Sequence, residues 1–174
     1  MSEWGTSVYG EPCRACGFSW QVSVGDAVVL VADVPGTYGR TLVGATGTEQ
    51  HPGLEWSVSA YVSHVADNLR IWAERLAGIA AGAPPEVAGY DEKALARARE
   101  YQRIPLQAAM WSLSRSVAGW QYAVGQTRRT GIILIHPERG GQSLSDVVLA
   151  NAHDAFHHRW DIERSLRSEP EDDR

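Results

Sequence analysis

Apolar residues recur every third or fourth position along most of the chain, which is the spacing of one face of a helix. The clearest run spans about 55–81, where Val58, Val62, Val65, Leu69, Trp72 and Leu76 step by 4, 3, 4, 3, 4, as on a bundle seam. Gly82, Pro84 and Pro85 end it. A second run, Leu106, Met110, Leu113, Val117, Trp120 and Val124, repeats the same steps. It is preceded by a helical start at Asp91 and interrupted at Pro105, so a kinked long helix or two collinear ones are expected, ending near Gln126. A shorter segment, about 25–43, opens on Ser23 with Asp26 three residues later and carries Ala27, Val31, Val34 and Tyr38 at helical spacing. Its valines leave a strand open as an alternative, and Pro35-Gly36 should kink or break it. The last segment, about 144–167, opens on Ser143 with Asp146, and Leu149, His153, Phe156 and Trp160 step by 4, 3, 4. Residues 127–142 form a linker, in which 132–135 suit a short extended stretch.

Four amphipathic segments predict an all-α four-helix bundle over 23–168. It follows an irregular segment over 1–22 that holds both cysteines, and precedes a charged tail over 169–174 expected to be disordered. At 174 residues the chain is long enough to bury a core without disulfides. Its net charge of −5 gives no basic footprint, so no nucleic-acid partner is expected. No apolar run reaches the roughly 20 residues of a membrane span, and residues 1–12 lack the form of a secretory signal. With two cysteines only, a reducing cytoplasmic setting is expected. Seven tryptophans are many for this length, and either fill the core or wall a ligand cavity, with Trp72, Trp111, Trp120 and Trp160 as candidates for the wall.

The histidines carry the candidate chemistry. His153 and His157 lie four residues apart on one helix, which puts two imidazoles on one face within reach of a single ion. A third ligand must come from elsewhere, and His64, flanking the seam of the second segment, is the best candidate. Three neutral imidazoles leave a position open for water or substrate, as catalytic sites do. His158 lies about 100° around the helix from His157 and reads as a surface or supporting residue. Asp161 is placed either to hydrogen-bond the other ring nitrogen of His157 or to pair with Arg159 or Arg164.

Two stretches resemble the DinB/YfiT-like superfamily of four-helix bundles. Trp56-Ser57, Tyr61-Val62, His64-Val65 and Asp67 match its helix-two pattern, W-S-x-x-E-Y-V-x-H-V-x-D. His153-Asp154, His157-His158 and Asp161-Ile162 match its last-helix pattern, H-E-x-H-H-H-x-x-D-I, with Phe156 where a further histidine often stands. Members opening with C-x-x-C-G-F, like Cys13 to Phe18 here, are especially similar. The resemblance implies an up-down-down-up bundle, frequent homodimers, and a divalent ion, commonly zinc or nickel, on His64, His153 and His157. It also implies thiol-dependent transferases and isomerases that use mycothiol or a related low-molecular-weight thiol.

Cys13 and Cys16 make one knuckle of the kind that binds zinc. Completing it needs two more ligands, from His51, His136 or a dimer mate; otherwise both remain reduced and unligated. Arg128, Arg129 and Arg139 flank the linker, as solvated charges or as a grip for a carboxylate-bearing substrate. His136, in the same linker, is a lesser candidate for a general base. The leading expectation is a metal-dependent enzyme that activates water or a thiol toward a small organic substrate, with Tyr61, Asn68, Trp72 and Trp160 shaping the pocket. The alternatives are a metal-independent biosynthetic enzyme with a Trp-lined pocket, and a non-catalytic stress or ligand-binding module whose metal is structural.

Overall fold

A computed structural model describes residues 4–128 and 131–167; the tail expected over 169–174 and Arg129 lie outside them. The helices are α1 (Thr6–Tyr9), α2 (Val24–Ala32), α3 (Val34–Thr41), α4 (Val58–Ala80), α5 (Glu92–Ala98), α6 (Leu106–Thr127) and α7 (Leu144–Arg167). The first expected segment is helical, and it is divided at Asp33, where Pro35 in the first turn of α3 restarts the helix. The helix starts follow their capping residues. Ser23 Oγ accepts the backbone N–H of Asp26, Ser143 Oγ that of Asp146, and the Asp91 carboxylate those of Lys93 and Ala94. The expected kink at Pro105 is instead a full break. Glu100 turns left-handed at φ 51°, Tyr101–Arg103 forms a short 3-10 turn, and α6 begins afresh after the proline.

The direction of each long helix can be read from its anchors. Near the start of α4, Ser59 Oγ donates to the carbonyl of Ile104, just before α6; near the ends of both, Thr127 Oγ1 donates to the carbonyl of Leu76. α4 and α6 therefore run parallel. α7 returns the other way: Asp154 faces Asn68 in the middle of α4, whereas the backbone N–H of His51, in the loop that leads into α4, donates to Ser165 near the end of α7. α2 and α3 lead into that same loop, so the bundle is up-down-down-up. Gly47 lets the loop press onto α6: at φ +93°, a Cβ there would meet Leu106 Cβ at 2.8 Å.

The α4 seam is as the periodicity predicts, with Val58, Val62, Val65, Leu69, Trp72 and Leu76 all at most 3% exposed. The α7 seam is not. Leu149, Phe156 and Trp160 are only half-buried, and the core takes Val148, Ala152, Ala155 and Ile162. The helix is thus rotated by about one residue, roughly 100°, from the expected phase. The reason is that α7 is covered on two sides. The bundle packs on its small-residue face, and the segment 4–22 packs on the face that carries His153 and Phe156, through Tyr9, Phe18 and Trp20. A two-stranded hairpin, β1 (Leu134–His136) and β2 (Gly140–Gln142), pairs Ile135 with Gly141 and adds a parallel bridge to Glu86. It holds His136, Glu138 and Arg139 over the mouth of a cavity between α4 and α7.

Candidate metal centre

Two groups of ligand-bearing side chains meet along α7, and in each the ligand atoms all lie within 4.8 Å of one another. One is His64, Asp154 and His158; the other is Cys13, Cys16, His153 and His157. The structure thus does not gather the expected set of His64, His153 and His157 into one group. The phase of α7 turns Asp154 and His158 toward His64 on α4, and turns His153 and His157, one residue earlier in each turn, toward the N-terminal segment. The side chains that stand beside the Cys13–Cys16 pair are His153 and His157, not the expected His51 or His136. His51 Nδ1 accepts the N–H of Gly53, and His136 Nδ1 accepts those of Glu138 and Arg139 within its own turn.

In the first group, His64 Nε2 stands 3.5 Å from Asp154 Oδ1, and His158 Nε2 is 3.5 Å from the same oxygen. His64 is 2% exposed, and its Nε2 is buried with no hydrogen-bond partner among the described residues. A buried imidazole nitrogen without a partner is costly. A divalent ion is a partner of the right chemistry: two imidazoles and a carboxylate are a set that zinc and similar ions accept, with a further position left open. The supporting groups are in place. Asp161 Oδ2 lies 3.0 Å from His158 Nδ1 and orients that ring from behind, and Asn68 Nδ2 donates to Asp154 Oδ2 at 2.8 Å. Tyr90 in turn donates to Asn68 Oδ1 at 3.3 Å.

The histidines of the two groups differ in charge. Burial opposes charge on both partners, but the pair overrides it. Asp154 is held well below the usual carboxylate range, chiefly by the His158 charge, and the two aspartates lift His158 to about 9. His153 goes the other way: burial and the neighbouring His157 push it down to about 4, so that it is neutral at pH 7. His157 is lowered for the same reason, by burial and then by His158.

Asp154, His64 and Asn68 form part of the wall of a cavity of about 290 Å³, closed by Trp72, Arg75 and Tyr90 and by the hairpin residues His136 and Arg139. Of the expected pocket residues, Asn68 and Trp72 line this cavity. Tyr61 and Trp160 do not: the Tyr61 ring packs 5.2 Å from His158, and Trp160 sits 5.5 Å from His157. Trp120 belongs to the core, where its Nε1 donates to Asn151, and Trp111 is 69% exposed. Arg139 lines the cavity. Arg75, which the sequence did not single out, joins it there with its guanidinium 4.7 Å over the Trp72 ring.

Asp154 and His158 are the members of the first group that the sequence did not put forward as candidate ligands. They form a D-x-x-x-H pair offset by one residue from H-x-x-x-H, and only the helix phase decides which pair faces α4. The signal was present in Val148, Ala152, Ala155 and Ile162, a seam of mostly small side chains overshadowed by larger neighbours.

No family model matches the chain, and no curated protein does so. Among solved structures, YfiT from Bacillus subtilis, described as a probable metal-dependent hydrolase with an unusual four-helix bundle topology, aligns over 84% of this chain and 89% of its own. The TM-score is 0.72 and the identity 16%. The likeness expected from the paired sequence patterns thus holds at the level of architecture, and the chain has the four-helix-bundle fold of YfiT.

Proposed function

We propose that the protein is a metal-dependent enzyme whose ion is held by His64, Asp154 and His158, and that it acts on a small, carboxylate-bearing substrate in the adjoining cavity. The observation that carries this reading is the convergence of three candidate ligand side chains, one with a buried nitrogen that makes no hydrogen bond, at a polar cavity that His64 and Asp154 line. The description of YfiT as a probable metal-dependent hydrolase agrees with it. A zinc or nickel ion there would supply Lewis acidity and lower the pKa of a water or a low-molecular-weight thiol such as mycothiol. The chain's own residues do the rest. Asp161 fixes the His158 ring, and Asn68 and Tyr90 fix Asp154. Arg75 and Arg139 present two cations to an anionic substrate group, and Trp72 and Tyr90 give it apolar walls. At about 290 Å³ the cavity suits a metabolite-sized molecule rather than a polymer.

The test has two parts. Protein purified without a histidine tag should bind a divalent ion that His64→Ala loses. Hydrolysis and thiol-transfer assays on a panel of small carboxylates should then show turnover that requires that ion. Arg75→Ala and Arg139→Ala should each raise KM about 10-fold or more, as loss of a charged hydrogen-bond partner does, with kcat less affected. Unchanged metal content in His64→Ala would overturn the assignment.

A further inference from the structure

The second group of side chains lies outside that cavity's wall and has a different chemistry. Cys13, Cys16, His153 and His157 supply two sulfurs and two imidazole nitrogens, all within 4.8 Å of one another. In a tetrahedral zinc site, ligand bonds of about 2.0–2.3 Å put neighbouring ligand atoms roughly 3.3–3.8 Å apart. Cys13 Sγ already stands 3.9 Å from His157 Nδ1. The backbone around the cysteines is shaped as a knuckle: the N–H of Gly17 donates to the carbonyl of Cys13, that of Cys13 donates to the carbonyl of Phe18, and Gly17 takes the φ of +77° that closes the turn. Independently of the cysteines, His153 points to a ligand. It is 5% exposed, and its Nε2 is buried without a hydrogen-bond partner among the described residues. On its far side, His157 Nε2 lies 3.8 Å from Asp161, the carboxylate that also supports His158.

We infer that Cys13, Cys16, His153 and His157 bind a structural zinc ion that fastens the N-terminal segment across α7. Two thiolates and two imidazoles fill a tetrahedral shell, so no position remains for substrate, and the soft sulfurs select zinc over harder divalent ions. The two thiol protons pass to solvent as the ion binds. The fastened segment is the one that carries Tyr9 and Trp20 against His153, and α7 between positions 153 and 158 then bears alternate ligands of two ions: 153 and 157 for the structural one, 154 and 158 for the one in the cavity wall. The structural ion would add to the core contacts that hold the phase of α7, on which the other site depends.

Cobalt(II) substitution of the reduced, full-length protein tests this without reference to activity. The wild type should show the intense near-ultraviolet thiolate-to-cobalt charge-transfer bands of a tetrahedral sulfur site. The bands should vanish in Cys13→Ser/Cys16→Ser and persist in His64→Ala, so the two sites succeed or fail separately. In unmutated protein, zinc should slow tryptic cleavage after the exposed Arg14 by at least 10-fold relative to chelator-treated protein. That second measurement does not require a cysteine variant to fold. A wild type without thiolate bands, or one cut after Arg14 equally fast with and without zinc, would overturn the inference.

Discussion

The atoms that decide this account are two imidazole nitrogens, Nε2 of His64 and Nε2 of His153. Both are buried, and neither has a hydrogen-bond partner among the described residues. His158 has the opposite character. Without an ion it is held in its protonated form by Asp154 and Asp161, with its pKa raised to about 9. A histidine whose pKa is higher folded than unfolded adds stability that is complete below the unfolded value, about 6.5, and is lost as the pH climbs through 9. Asp154, with its pKa lowered, adds stability that is lost only as the pH falls through that lowered value. The stability gap between ion-free wild type and His158→Gln, measured by urea unfolding, should therefore be largest near pH 6 and shrink toward pH 10. A gap that widens over that range would show that the proton is not held there. Because an ion must displace that proton, metal affinity at the His64 site should rise over the same interval. The residues at this scale were partly legible in the sequence. His64 stands out against the α4 seam, and C-x-x-C announces a ligand pair. His158 does not stand out, because its role depends on Asp154 and Asp161 lying on the same side of α7, which spacing alone leaves undetermined.

At the scale of the element, α4 and α6 were legible because large apolar residues fill one stripe and the helix caps are explicit. α7 was not, because it is buried on two sides. Once Tyr9, Phe18 and Trp20 cover one face and α4 covers another, large residues no longer mark the inward direction, and the small residues Ala152 and Ala155 do. The break before α6 was only half legible. Pro105 predicts an interruption, but the left-handed Glu100 and the 3-10 turn serve contacts remote in sequence, with Tyr101 donating to Asp67 at 2.5 Å and Arg99 pairing with the same carboxylate. The phase of α7 is pinned by polar contacts inside the core: Trp120 Nε1 donates to Asn151 Oδ1 at 2.8 Å, and Tyr38 donates to the carbonyl of Ala155 at 2.7 Å. Asn151→Ala leaves the indole N–H unsatisfied and should cost about 1–3 kcal/mol. Trp120→Ala, which empties a fully buried site, should cost about 3–5 kcal/mol. Denaturant unfolding of the metal-loaded proteins gives both values. A loss under 0.5 kcal/mol for both would mean that this pair does not set the helix phase.

For the whole molecule, the four-helix architecture followed from the hydrophobic pattern, and the chain direction is fixed by side-chain anchors at both ends of α4. What the pattern could not supply is the assembly around α7. Residues 4–22, irregular by sequence, form a cover built on Tyr9, Phe18 and Trp20, and the linker after α6 folds into a hairpin that brings His136 and Arg139 to the cavity. Both depend on contacts across more than a hundred residues or on turn geometry that periodicity does not encode. Among the described residues, no helix is long and apolar enough to cross a membrane. Two separate ions along α7 would be seen in a crystal of zinc-loaded protein with data collected at the zinc absorption edge. An anomalous peak bounded by His64, Asp154 and His158 is expected, separate from any peak at Cys13 and Cys16. A single ion bound by His64, His153 and His157 together, or no peak beside Asp154 and His158, would contradict it.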